Sequence, residues 1–170
     1  RKKQQTRTAI RDAAMRLFFE RGFDQVSVAE VARAADVSEA TVFNYFPTKE
    51  DLVYERMDAF EQELLAAVRE RPEGESVLRA FAGFILDRSD SAATGEGRRR
   101  VAALTRLTNA SPSLQARERE IVASYTEALA ALLAEETGAA ADDIEPRLGA
   151  ETMMAFHRSL IDFARRRALS

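Results

Sequence analysis

Apolar residues recur along this chain at three- and four-residue spacings. Nowhere do they alternate with polar residues over a strand's length between turn residues, so the pattern is helical from end to end. Ile10, Ala13, Ala14, Leu17 and Phe18 fall at i, i+3, i+4, i+7 and i+8 and form one face of a first helix over 5–21. Gly22 follows, where a left-handed cap favours glycine. Ser27 and Glu30 read as a capping box opening a second helix, 27–35, with Val28, Val31, Ala32 and Ala35 turned inward. Asp36-Val37 makes a tight turn. Ser38 then caps a short third helix reaching Phe46, which Pro47 ends. Thr48 and Asp51 form a second box and open a long fourth helix, 48–71, with an inward stripe of Val53, Met57, Phe60 and Leu64.

The segment from Arg71 through Pro72 and Gly74 to Glu75 breaks the pattern. A helix over 76–89 follows, then a loop of small residues over 91–97 and a helix over 98–110. Ser111-Pro112 supplies a cap and a proline at the first helical position of the next helix, which Gly138 stops after Thr137. A loop over 139–142 leads to a last helix over 143–168, with Pro146 in its first turn. The expectation is an all-α chain of eight main helices, or nine if 98–110 splits: an N-terminal three-helix helix-turn-helix module (1–50) joined to a second helical domain (51–170).

The second and third helices, joined by a tight turn, fit the plan of a helix-turn-helix. Val42 and Phe46 are four apart and anchor one face of the third helix. Ala40, Thr41, Phe43, Asn44 and Tyr45 must then face outward, and exposed aromatic residues on a helix call for a partner that covers them. Each has a task on DNA. Asn44 can pair bidentately with adenine, Phe43 can pack on a thymine methyl, and Glu39 can accept from cytosine, though it is equally ordinary helix N-terminal charge. Thr41 and Tyr45 can donate hydroxyls to phosphate, and Lys49 stands where charge favours phosphate. Ser27 is placed for a phosphate contact or for capping alone.

Charge sharpens this picture. The 170 residues carry a net charge of -3, yet the first 22 hold seven basic residues (Arg1, Lys2, Lys3, Arg7, Arg11, Arg16, Arg21) and two acids, a local +5 that leaves -8 elsewhere. A basic head on an acidic body suits a protein that meets phosphate at one end; a solvated N-terminus is the plain alternative. There is no cysteine, which removes disulfides and thiolate metal sites and fits a reducing cytoplasm. No signal peptide and no apolar run of membrane-spanning length is present, so no membrane association is expected. The chain begins without methionine and ends at Ser170 in a helical stretch, which points to trimming at the ends.

Residues from Thr8 to about Leu52 resemble the DNA-binding domain of the TetR family of bacterial regulators. The resemblance rests on Ala13-Ala14-Met15-Arg16-Leu17-Phe18, Arg21-Gly22-Phe23, Val28-Ala29-Glu30-Val31-Ala32, Ala35-Asp36-Val37-Ser38 and the run from Ala40 to Leu52, in succession over about a quarter of the chain. It implies an all-helical homodimer on a near-palindromic DNA operator, released when a small molecule enters a C-terminal pocket. It also implies phosphate contacts from Thr41, Tyr45 and Lys49 and base-facing places for Ala40, Phe43 and Asn44. At Phe43 the family more often has tyrosine, so a hydroxyl contact is lost and only an apolar one remains.

The last two helices are richer in apolar residues than one inward stripe needs, which predicts a dimer interface including Ile121, Tyr125, Leu129, Leu132, Phe156, Leu160 and Phe163. A purely intramolecular core is the alternative. Phe60, Phe81, Phe84, Leu104, Leu107, Met153 and Phe156 are candidate linings for a lipophilic or aromatic effector; for each, simple core is the competing reading. His157, the sole histidine, reads as a packing or interface residue and cannot build a metal site alone. No phosphate loop, dinucleotide glycine motif, cysteine nucleophile or metal cluster suggests an enzyme or a cofactor. A repressor is the favoured function, with an activator of the same architecture, or a helical interaction module without DNA, as alternatives.

Overall fold

A computed structural model of the chain describes residues 2–55, 57–140 and 142–170; the side chains of 58 and 89–93 are not described either, and Arg1 of the basic head lies outside the described residues. Among the described residues there are nine α-helices and no strand: α1 (Lys2–Arg21), α2 (Val28–Ala34), α3 (Glu39–Tyr45), α4 (Asp51–Tyr54), α5 (Met57–Arg69), α6 (Val77–Ala93), α7 (Gly95–Asn109), α8 (Pro112–Thr137) and α9 (Glu145–Leu169). They form two compact units. The first is Arg1–Arg56 with Ala103–Arg117, the second Met57–Ala102 with Glu118–Ser170.

In the first unit α1 packs on α2 and α4, and α2 on α3. Ile10, Ala14 and Phe18 of α1 are fully buried, as the spacing requires, and Leu17 is half-buried. Phe18 meets Phe23 at 4.9 Å between ring centroids. Gly22 adopts φ 88°, and its amide donates to the Phe18 carbonyl at 2.8 Å, which closes α1. Asp36 holds the tight turn in the left-handed region at φ 55°, which a short polar side chain tolerates. α4 buries Leu52 and Tyr54, where Val53 was expected to point inward. Ser111 and Leu114 of the 103–117 segment are buried here: Tyr54 Oη donates to the Leu114 carbonyl at 3.1 Å, and Ser111 Oγ to Asp24 at 2.8 Å.

The second unit is built on α5 against α6 and α6 against α9. Its core holds Leu64, Val68, Phe81, Ile85, Leu129 and Met154. Tyr125 Oη donates to the Met57 carbonyl at 2.6 Å, and Arg71 holds Glu136 through two 2.8 Å bonds.

Several expected boundaries move. The expected fourth helix is described as two, α4 ending at Tyr54 and α5 beginning at Met57, a break that includes residue 56, outside the described residues. Glu55 still has helical backbone, and its carboxylate is pulled back onto α1 by Arg7 and Arg11. This break, not one within 98–110, supplies the ninth helix. α1 starts at Lys2 rather than 5. The loop expected over 91–97 shrinks to a junction at Thr94, because that residue has extended backbone and its Oγ1 accepts from the Gly97 amide at 3.0 Å, capping α7 early. The loop expected over 139–142 includes residue 141, outside the described residues.

Candidate nucleic-acid interface

α3 is positioned by capping. Ser38 Oγ accepts from the Thr41 amide at 3.1 Å, and Val42 and Phe46, each 1% exposed, pin one face to the core. Seven residues make a rod of about 10 Å. Opposite the pins, Glu39, Ala40, Phe43 and Asn44 are exposed, with Phe43 at 46%. Thr41 and Tyr45 flank them, half-buried, and Thr41 Oγ1 lies 2.8 Å from Ser38 Oγ. The structure thus brings six of the eight candidate DNA contacts onto one short helix.

The other two make contacts within the fold. Ser27, exposed at the head of α2, forms the capping box: its Oγ accepts from the Glu30 amide at 3.2 Å, and its amide donates to Glu30 at 2.8 Å. The Ser27 amide, together with Arg21 at 2.7 Å, holds the Glu30 carboxyl down at about 2. Lys49 was expected to face phosphate. Its Nζ instead donates to the Phe23 carbonyl at 2.7 Å and lies 4.1 Å from the centre of the Phe23 ring. Burial pushes this ammonium below its ordinary range, against the pull of Asp24, Glu50 and Glu30. The Thr48–Asp51 box forms as expected, with bonds of 2.9 and 3.2 Å.

Sequence reasoning missed Glu55. Its carboxylate, 10% exposed, receives Arg7 at 2.7 Å and Arg11 at 3.2 Å and ties α1 to the end of α4. Arg7 also lies 5.1 Å from the centre of the Phe46 ring, under the pinned end of α3. Part of the basic head is therefore structural. The first unit nevertheless keeps a positive balance, twelve basic to nine acidic residues, while the second is acidic. Among the described residues no group of acidic or histidine side chains is placed to hold a metal ion, and no helix is long and apolar enough to cross a membrane.

In the second unit, Phe60 is the hub of an aromatic cluster, with Phe84, Tyr125 and His157 at 5.4, 5.4 and 5.5 Å between ring centres. Of the candidate pocket linings, Phe60, Phe81, Phe84 and Met153 belong to this core. Leu104 and Leu107 belong to the first unit, Leu107 buried there, and Phe156 is exposed at 44%. The expected dimer surface also narrows. Tyr125, Leu129 and Leu132 are at most 4% exposed within this chain's own core and offer nothing to a partner. Phe156 and Phe163 remain exposed at 44% and 54%, and Ile121 and Leu160 are half-buried.

Comparison with known proteins agrees with this geometry. Residues 10–55 match the family of bacterial regulatory proteins named for tetR, and residues 71–168 match the MftR C-terminal domain. A putative mycofactocin biosynthesis transcriptional regulator, MftR of Mycobacterium tuberculosis, is 31% identical over 157 residues, 91% of this chain and 77% of that protein. Three further relatives, 34%, 36% and 40% identical, match over 83, 81 and 52 residues, and the chain spans only 37%, 31% and 24% of their lengths. NalD of Pseudomonas aeruginosa, the secondary repressor of the MexAB-OprM multidrug efflux pump, superposes with a TM-score of 0.63 at 26% identity, covering 98% of this chain and 89% of its own. Thermus thermophilus FadR, a transcriptional repressor solved with lauroyl-CoA, gives 0.55 at 25% identity over 93% and 82%. The chain belongs to the TetR family of bacterial regulatory proteins and is a DNA-binding transcriptional regulator.

Proposed function

We propose that this chain is a cytoplasmic, homodimeric repressor that leaves a palindromic operator when a lipophilic or aromatic small molecule binds its C-terminal domain. Residues 1–50 read DNA in this account, and 51–170 bind effector and partner. The observation that carries it is the outer face of α3. A helix of seven residues exposes a phenylalanine and an asparagine side by side, held rigid by Val42 and Phe46 beneath. Exposed aromatic surface costs solvation unless something covers it, and a major groove accepts an α-helix and offers thymine methyls and adenine edges.

Asn44 pairs with a base, Phe43 and Ala40 pack against thymine methyls, and Glu39 accepts from cytosine. Thr41 and Tyr45, at the margins of that face, hold phosphate, as does Ser27 at the head of α2. Lys49 acts mainly by fixing the turn that bears it. The partner surface is the exposed apolar edge of α9, with Phe156, Leu160 and Phe163, flanked by Ile121 of α8. A dimer reading a palindrome must set its two recognition helices about 34 Å apart. FadR's lauroyl-CoA and the aromatic core around Phe60 support an apolar effector.

Selection of bound fragments from a random DNA pool at about physiological salt tests this reading. An enriched inverted repeat, with half-sites one helical turn apart or a multiple of it, is the expected result. Weak binding that is equal for all sequences refutes it.

A further inference from the structure

His157 sits in α9, 9% exposed, with one imidazole face stacked on Phe60 at 5.5 Å and an interplanar angle of 28°. Its Nδ1 is buried and has no hydrogen-bond partner. Buried polar atoms are nearly always satisfied, because an unmet one forfeits its hydration with nothing in return. The other aromatic members of the cluster, Phe84 and Tyr125, do not answer this need, since the Tyr125 hydroxyl is given to the Met57 carbonyl. Phe60 and Phe84 are only half-buried, so the cluster reaches the surface on their side. Arg88 lies over that edge, 4.0 Å from the centre of the Phe84 ring and paired with Glu63, a cation on the rim of the aromatic cluster.

Resting on the effector reading above, we propose that His157 Nδ1 is the polar anchor of the effector site and that the effector is a flat aromatic molecule bearing a hydroxyl group. The ring matches the stacked side chains. The hydroxyl matches the imidazole, because it both donates and accepts and so satisfies Nδ1 in either tautomer. A carboxylate only accepts, and it would carry a full charge into an apolar cluster. Burial, and secondarily the charge of Arg158, hold His157 at about 4, so the group offered to the ligand at neutral pH is the uncharged imidazole.

The test uses the full chain with 2-naphthol, naphthalene and sodium dodecanoate as probes. His157 is the only histidine, so its ¹⁵N resonances report on this site alone. The expected result is 2-naphthol binding about fivefold or more tighter than naphthalene, from one hydrogen bond, with a displaced Nδ1 resonance. In His157→Phe, which keeps the stacked ring, the preference should fall to about one. The wild-type resonance decides the matter should that variant fail to fold. Equal affinity for the two bicyclic probes, an unmoved Nδ1 resonance with 2-naphthol bound, or no binding of either overturns the proposal. If neither binds but dodecanoate displaces the protein from its selected operator, this proposal falls and the effector reading stands. If no member of a broad small-molecule panel releases DNA, the effector reading itself falls.

Discussion

Acidification should weaken this protein in part through His157. Its imidazole is held down from 6.5 to about 4, first by burial and then by the positive charge of Arg158. The unfolded chain takes up a proton below pH 6.5; the folded chain refuses it until about pH 4. Stability is therefore complete above pH 6.5 and falls as pH drops through the interval, with no further loss below about 4. Two and a half pH units at about 1.4 kcal/mol each give a loss on the order of 3 kcal/mol. That is a large share of the 5–15 kcal/mol typical of a small folded chain. The Glu136 carboxylate, which its hydrogen bonds with Arg71 hold below the ordinary range, also loses its pairing in acid. The assay is therefore a difference: urea unfolding at pH 7 to 4 for the wild type and for His157→Phe, which keeps a ring against Phe60 and cannot titrate. The gap between the two should move by about 3 kcal/mol in favour of the variant as pH falls. A gap that stays constant across the interval refutes the argument from burial.

Tyr54→Phe removes a buried hydroxyl bonded to the Leu114 carbonyl and should cost the first unit about 1 kcal/mol, read as a lower urea midpoint with an unchanged slope; no change would mean that the 103–117 segment is not held by this bond. Phe163→Glu places a charge on the exposed apolar edge of α9 and should convert a dimer to monomer in sedimentation; a persisting dimer would move the partner surface elsewhere.

What could be read in advance was what is local. Ser27 and Ser38 cap their helices, and Gly22 and Gly138 end theirs at positive φ, because capping acts within four residues and leaves its residue type in the sequence. The face of α3 was legible for the same reason: Val42 and Phe46 at one spacing dictate what faces away. Contacts between distant segments left no such trace. Nothing local marks Tyr54 as the partner of Leu114, Ser111 as the partner of Asp24, or Glu55 as the meeting point of Arg7 and Arg11. Lys49 shows what position along the chain leaves out. Its place after Thr48 fits a phosphate contact, but the nearby Phe23 carbonyl and ring offer the ammonium a partner within the fold. The apolar surplus of α8 was real but was spent on the chain's own core at Tyr125, Leu129 and Leu132, since periodicity cannot say which of two surfaces an apolar face covers.

The central claim is that the exposed face of α3 reads bases. It is tested most directly by the ratio of affinities for the selected operator and for unrelated DNA, measured at one salt concentration for the wild type, Asn44→Ala and Phe43→Ala. The account predicts that each substitution lowers that ratio by about tenfold, from a lost base contact of 1–3 kcal/mol, while leaving affinity for unrelated DNA almost unchanged. An undiminished ratio in both variants, or an equal loss on both DNAs, would contradict it.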